Sequence, residues 1–181
     1  MKTDARVRYT RMIIQNTFLK LLKEKPISKI TVKEICEIAE INRTTFYKHY
    51  HDPYDLLEKL EEEAISGLLS TMEESRSEHI LLSILRTIYK NHNLFDHLIS
   101  AGDDKSFSYR LAVRCFEKIK DITLQDAGNQ PPALTSGLYF SYLAGGVSGI
   151  IEYWIQSGMK ETPEDIADAI NKLNGAALKN I

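Results

Sequence analysis

Apolar residues recur every three or four positions along most of the chain, which places them on one face of an α-helix. A first helix is predicted from Asp4 or Val7 to Glu24, ended by Pro26, with inward positions at Ile14, Phe18, Leu21 and Leu22. The same spacing predicts helices over about 53–73, 78–90, 93–99, 107–124, 133–157 and 162–179, with loops at 101–104 and 126–132. Strand-like alternation is absent. The pattern therefore predicts an all-α protein of about nine helices.

Between residues 31 and 57 the polar residues predict a series of closely spaced helix starts. Thr31 and Glu34 form a capping-box pattern, and the helix that follows has an apolar face made of Val32, Ile35, Cys36 and Ala39. Asn42 is suited to cap a second short helix, running to about Tyr50, after a turn at Glu40 and Ile41. Asp52, with Pro53 in the first helical position, starts the next helix.

The second short helix has one apolar and one polar face. Phe46 and Tyr50 lie four residues apart and are predicted to face inward. The opposite face consists of Arg43, Thr44, Tyr47 and Lys48. It therefore carries two cations, a hydroxyl and a phenol, and no carboxylate. A helix this short is not stable alone, so its neighbours must hold it. Its polar face is then free to enter a DNA major groove, as in a helix-turn-helix.

These residues resemble the TetR family of bacterial transcription regulators. The matching pieces, within roughly residues 10–60, are Ile30-Thr31-Val32, the apolar positions from Ile35 to Ala39, and Thr45-Phe46-Tyr47-Lys48-His49-Tyr50 followed by Asp55-Leu56-Leu57. Glu40 stands where the family commonly has a turn glycine, so this turn must tolerate a side chain. Pro53 stands where a lysine is frequent, which removes one expected phosphate contact. The resemblance implies a DNA-binding head over 1–55 and a helical regulatory and dimerisation body over 56–181.

The charge distribution agrees with a DNA-binding head. Residues 1–51 carry 11 lysines and arginines against 5 acidic residues, whereas the remainder carries 12 against 20. Phosphate attraction is local, so a basic end on an acidic body suits a DNA-binding protein, although a bias of this size also arises by chance. With 43% hydrophobic and 27% charged residues, no long apolar run and no signal-peptide pattern, we expect a cytoplasmic protein without a membrane span. Cys36 and Cys115 are expected to be buried and unpaired.

We expect the head to read double-stranded DNA with the start of its second short helix. Arg43, Thr44 and Tyr47 are predicted to contact base edges or nearby sugars. Phosphate contacts are predicted for Thr31, Thr45, Lys48, His49 and Tyr50, with Asn42 at the helix start and Lys33 at the periphery. The basic N-terminal arm, with Lys2, Arg6, Arg8 and Arg11, could reach backbone phosphates or a minor groove. For Lys2 and Arg6 a frayed terminus is the alternative.

The helix predicted from Ala133 is apolar around nearly its whole circumference and contains three glycines close together. Glycine destabilises a helix by roughly 1 kcal/mol relative to alanine, so close packing against another helix is expected to offset that cost. Together with the family resemblance, this predicts a homodimer interface formed by Tyr142, Gly145, Gly146, Gly149, Ile150, Tyr153, Trp154, Ile166, Ile170 and Leu173. A purely intramolecular core helix is the alternative.

The resemblance also implies a small-molecule effector site in the body. Candidate lining residues are Tyr89, His92, Phe95, Phe107, Tyr109, Phe116, Tyr139 and Tyr142, although aromatic residues at helical spacing are more often core. No cofactor, metal or catalytic motif is found, so we do not expect an enzyme. The expected function is a transcriptional regulator, a repressor that binds a palindromic operator as a dimer. The alternatives are an activator and a TetR-like dimer controlled by docking of a partner protein.

Overall fold

The computed structural model describes the backbone of residues 2–75, 79–100, 106–124 and 133–178, and the side chains of 5–75, 79–100, 107–118, 137–138 and 140–175. Within these residues the chain forms nine α-helices and no strand, which confirms the all-α prediction. The helices are α1 (Lys2–Glu24), α2 (Val32–Ile38), α3 (Arg43–Tyr47), α4 (Pro53–Glu74), α5 (Ile80–Lys90), α6 (His92–Ser100), α7 (Ser106–Leu124), α8 (Ala133–Gln156) and α9 (Pro163–Leu178). The predicted loops at 101–104 and 126–132 lie outside the described residues. No helix in the described ranges is long and apolar enough to cross a membrane.

The chain divides into two compact units, residues 1–64 and residues 65–181. The first unit, called the head below, holds α1, α2, α3 and the start of α4. Its core is made of side chains that are fully shielded from solvent: Ile14, Phe18, Ile35, Phe46 and Leu56. Every one of these helices contributes to that core, so the short α3 is held by hydrophobic burial against its neighbours rather than by its own helical propensity.

Helix α3 is shorter than predicted. It ends at Tyr47, with Lys48 as its C-cap, whereas the sequence pattern predicted a helix to about Tyr50. Asp52 precedes Pro53 and is therefore disfavoured in the helical region of the backbone. The chain must also reverse before α4 begins, and residues 48–52 make that turn. The backbone amides of His49 and Tyr50 still donate to the Phe46 carbonyl, at 2.9 and 3.0 Å.

The capping box at the start of α2 forms only by half. The Thr31 hydroxyl accepts a hydrogen bond from the Glu34 amide at 3.3 Å, as predicted. The Glu34 carboxylate does not return a bond to Thr31, because both of its oxygens lie 2.6 Å from the Lys25 ammonium group. An ion pair between the end of α1 and the start of α2 therefore replaces the second half of the box.

The second unit, called the body below, contains α5 to α9. Trp154 on α8 is its largest fully buried side chain, stacked on Tyr89 with ring centroids 6.0 Å apart. The indole Nε1 donates to the Glu161 carbonyl at 3.0 Å, which satisfies the polar end of the ring. Helix α8 ends at a positive-φ glycine, Gly158, as predicted. Helix α9 starts with a reciprocal box in which the Thr162 hydroxyl and the Asp165 carboxylate each accept the other's amide.

Candidate nucleic-acid interface and regulatory body

The turn between α2 and α3 is a Schellman motif with a glutamate at its left-handed position. The Ile41 amide donates to the Cys36 carbonyl at 3.0 Å, and the Glu40 amide to the Glu37 carbonyl at 3.4 Å. Glu40 has a φ of +52°, a conformation that normally selects glycine. The turn therefore tolerates a side chain, as the sequence required, and it does so with a strained backbone at the entrance to α3.

The side chain of Asn42 caps α3. Its Oδ1 accepts hydrogen bonds from the Thr45 amide at 2.7 Å and from the Thr45 hydroxyl at 2.8 Å. These bonds satisfy one of the free amides at the helix start and fix the Thr45 side chain. Asn42 and Thr45, both DNA-contact candidates, are thus first of all the pair that defines where α3 begins.

The apolar and polar side chains of α3 and of the turn that follows it lie on opposite sides, as the sequence predicts. Phe46 and Tyr50 are buried, with ring centroids 5.7 Å apart, and the exposed Tyr47 ring packs edge-on against Phe46. The structure brings the four polar candidates together on the solvent side: Arg43, Thr44, Tyr47 and Lys48. Tyr50 is 2% exposed, so its ring supports α3 from behind.

Three cations surround His49 at the end of this face. Partial burial, followed by the charges of Arg11, Lys48 and Lys59, lowers the pKa of His49 below that of an ordinary histidine. The neutral imidazole is therefore favoured while this cluster faces water. A bound phosphate would reverse the balance, because it would neutralise the cations and favour the imidazolium. The arrangement is chemically suited to hold a DNA phosphate.

Lys59 is a functional candidate that the sequence analysis missed. Its ammonium group donates to the His49 carbonyl and to the Asp55 carboxylate, each at 3.0 Å, and lies 5.4 Å from the centroid of the Tyr50 ring. It therefore ties α4 to the end of α3. The pattern of Asp55 and Lys59, four residues apart on a helix, could have indicated an ion pair, but the acidic run around Lys59 concealed it.

The other head candidates lie around this face. Thr31 is exposed and its hydroxyl caps α2, while the exposed Lys33 is 3.7 Å from Glu37. Arg6 and Arg8 are exposed, and the side chain of Lys2 lies outside the described residues. Arg11 pairs with Glu63, which also accepts a hydrogen bond from Gln15 at 3.0 Å. Arg11 is therefore positioned from α4 rather than frayed.

In the body, the dimer candidates separate into an exposed group and a buried group. Leu173 on α9 is exposed. The other exposed candidates form one stripe along α8, which consists of Tyr142, Gly145, Gly146, Gly149 and Tyr153. Ile150 is half-buried, whereas Trp154, Ile166 and Ile170 are buried within the subunit. A Cβ atom added at each of the three glycines would meet nothing within 4 Å. Packing among the described residues of this chain therefore does not explain why those positions are glycine.

The aromatic effector candidates do not converge on one site. Phe95 and Phe107 are buried against each other, with centroids 6.3 Å apart, and Phe116 packs edge-on against Phe140. His92, Tyr109 and Tyr142 are exposed, and so is Tyr89 beside Trp154. The side chain of Tyr139 lies outside the described residues. Cys36 and Cys115 are buried and free, as predicted, and burial raises the pKa of the Cys115 thiol to about 12.

Comparisons with known proteins agree on one class. A TetR-type family model described as "Transcriptional regulator C-terminal region" matches residues 75–174. A curated relative, the uncharacterized HTH-type transcriptional regulator YxbF of Bacillus subtilis (strain 168), is 23% identical over 175 residues. That match covers 88% of this chain but 43% of the relative, so the chain spans less than half of the relative's length.

Two solved structures share the fold. A TetR transcriptional regulator from Streptococcus agalactiae 2603V superposes with a TM-score of 0.73 at 24% identity, covering 96% of this chain and 98% of that one. The dihydroxyacetone kinase operon activator DhaS superposes with a TM-score of 0.66 at 22% identity, covering 95% of this chain and 97% of that one. At these identities the two structures establish the fold alone.

Proposed function

Because this chain belongs to the TetR family of transcriptional regulators, we propose that it binds a palindromic DNA operator as a homodimer and represses transcription. The observation that carries the proposal is the exposed face of α3, which has cations, a hydroxyl and a phenol and no carboxylate. Phe46 and Tyr50 bury the opposite face, and Asn42 fixes the helix start. A short helix held in this way can enter a major groove without rearrangement.

In this proposal Arg43, Thr44 and Tyr47 read bases or nearby sugars. They stand in the first turns of α3, which is the part of a recognition helix that approaches base edges. Lys48 and His49 bind phosphate, together with the neighbouring cations Arg11 and Lys59. Thr31, Thr45 and Lys33 stand at the edge of the same surface, where phosphates of the adjacent backbone would pass.

The dimer would form through the exposed stripe of α8. Tyr142 and Tyr153 are 57% and 72% exposed in the single chain and stand on the same side of α8, whereas the other side of the helix is core. Between them lie the three glycines, above which a Cβ atom would meet none of the described residues within 4 Å. A second copy of α8 would bury the tyrosines and use the space above the glycines. A two-fold axis at this stripe would give two heads, and so a palindromic operator with half-sites about one helical turn apart.

Control by a small molecule is the further part of the proposal. A ligand held in the body would shift α4, and the two heads would then no longer match both half-sites. The ligand can weaken DNA binding only as far as it prefers the shifted state. Operator affinity that stays constant at saturating body ligand would refute this coupling. A partner protein that co-purifies in equal amounts, with no small molecule retained, would favour control by docking instead.

The test of the proposed DNA contacts compares Arg43→Ala with Lys48→Ala on an operator and on random DNA. Arg43→Ala should weaken operator binding by about 1–3 kcal/mol and relax specificity at one base position. Lys48→Ala should weaken both DNAs alike and lower the salt dependence by about one phosphate contact. Equal losses on both DNAs for both variants would overturn this division of roles. A promoter reporter, read with and without the protein, separates repression from activation.

A further inference from the structure

An apolar cavity of about 200 Å³, partly open to solvent, lies within the body, between α5, α7, α8 and α9. Phe116 is the one aromatic ring among the described lining residues. Most of the wall is aliphatic and is formed by Leu81, Ile84, Leu111, Ala112, Val147, Ile151 and Ile170. Of the aromatic effector candidates whose side chains the structure describes, Phe116 alone lines the cavity. The cavity is therefore a different site from the one that the sequence predicted.

The polar groups of the cavity are few and uncharged. Asn171 and Asn174 stand three residues apart on α9, so their side chains share one face of that helix. Asn171 is exposed and Asn174 is half-buried, which places these two amides where the cavity meets solvent. The Cys115 thiol is neutral because its pKa is about 12, so it offers neither a charge nor a nucleophile. No lining side chain among the described residues is ionised.

The size of the cavity limits what it can hold. An engineered apolar cavity of about 150 Å³ binds benzene, whereas pockets for drug-sized ligands measure about 300–1,000 Å³. A volume of about 200 Å³ lies close to the first case. It encloses one ring with a small substituent, so a longer chain or a second ring would have to project through the open side into solvent. A carboxylate or ammonium group would lose its hydration here without gaining a charged partner.

We propose that this cavity binds a small neutral molecule with one apolar ring or a short branched chain, and a single hydroxyl, carbonyl or amide group that bonds to Asn171 or Asn174. The proposal rests on the ligand control inferred above and specifies its site and chemical class. The position also suggests how occupancy would be transmitted. Val147 and Ile151 line the cavity from one side of α8, whereas Gly149 and Tyr153 are exposed on its other side. A ligand in the cavity would therefore press on the helix that carries the proposed dimer stripe.

The probe for this site is cyclohexanol, with cyclohexanecarboxylate as its charged counterpart, titrated into the full-length protein by saturation-transfer NMR. Cyclohexanol should bind saturably with a dissociation constant below about 1 mM. The carboxylate should bind at least tenfold more weakly because none of the described lining residues offers a cation. Absence of saturable cyclohexanol binding, or equal binding of the two probes, would overturn the proposal.

Two variants locate the binding. Ala112→Leu adds a branched side chain inside the cavity and should weaken cyclohexanol binding at least tenfold. Ala169→Leu makes the same change on the exposed face of α9 and should leave it unaltered. If Ala112→Leu does not fold, the double variant Asn171→Leu, Asn174→Leu decides the question. The unaltered protein should bind cyclohexanol more tightly than methylcyclohexane, because only the alcohol can bond to Asn171 or Asn174, and the double variant should lose that preference. Binding that survives the folded cavity variant, or a preference that survives the asparagine variant, contradicts the assignment.

The titration contains no DNA, so its outcome is independent of the proposed operator binding. Failure to bind cyclohexanol, beside successful operator binding, would remove the effector site and leave the regulator. Binding of cyclohexanol by a protein that selects no DNA sequence would leave the cavity in place and remove the regulator.

Discussion

Replacing Glu40 by glycine should stabilise the protein, although it removes a side chain. Glu40 has a φ of +52° at the left-handed position of the turn that joins α2 to α3. The same motif at the end of α8 has Gly158, with a φ of +87°, at the equivalent position. The two turns share their hydrogen-bond pattern and differ in the residue that must adopt the left-handed backbone.

The expected gain is the difference between two opposing effects. A residue with a Cβ atom in the left-handed region costs about 1–2 kcal/mol, and glycine relieves that cost. Glycine also raises the entropy of the unfolded chain, which costs about 0.4–1 kcal/mol. Central values leave a net stabilisation of about 0.8 kcal/mol, which corresponds to a rise in melting temperature of about 2 °C for a chain of this length.

Thermal unfolding of Glu40→Gly and Glu40→Ala measures the effect cleanly. Both variants lose the carboxylate, and only alanine keeps the Cβ atom, so their difference isolates backbone strain from charge. Met159, with a φ of +50° in the body, offers an independent pair in Met159→Gly and Met159→Ala. In each pair the glycine variant should melt higher. If Glu40→Gly melts at or below Glu40→Ala, the turn is not strained and the reasoning is wrong.

Three further predictions concern the cap, the histidine and the dimer stripe. Asn42→Ala should lower the free energy of unfolding by about 1 kcal/mol in chemical denaturation, and Asn42→Ser should restore most of it; equal stability of all three proteins would show that α3 needs no cap. The lowered pKa of His49 means that the unfolded chain binds more protons between the folded and unfolded pKa values. The free energy of unfolding should therefore rise with pH up to about 6.5, less steeply in His49→Gln, and identical pH profiles would contradict this. Gly149→Arg should give a folded monomer in sedimentation equilibrium, whereas Gly67→Arg on α4, also with open space above it, should remain dimeric; a dimeric Gly149→Arg would refute the interface.

Local signals predicted most of the head. The spacing of Phe46 and Tyr50 gave the buried face of α3, and Asn42 gave its first residue, because both depend on neighbours within one or two turns. The end of α3 was predicted too late because the apolar spacing continues to Tyr50, while the turn demanded by Pro53 begins earlier. The predicted bond from the Thr31 amide to the Glu34 side chain does not form, because the Glu34 carboxylate accepts a hydrogen bond from Lys25 in the preceding segment instead.

Contacts between distant segments were not predictable from local patterns. The position of Lys59 against His49 depends on how α4 packs on the end of α3. The cavity needs four helices, and its aliphatic residues look like any other core position in sequence. The aromatic residues proposed instead lie largely in ring pairs or on the surface. Asn171 and Asn174, beside the buried Ile170, were the polar residues on α9 that could have indicated a ligand site there.

Whether α3 reads a DNA sequence for a dimeric regulator is decided by selecting bound DNA from a random pool with purified protein at moderate salt. We expect recovery of a palindromic motif with half-sites about one helical turn apart. Recovery of DNA without any shared motif would contradict it, because the basic head would then bind phosphate alone. Recovery of no DNA would remove the DNA-binding claim and favour a protein-docking role for the body.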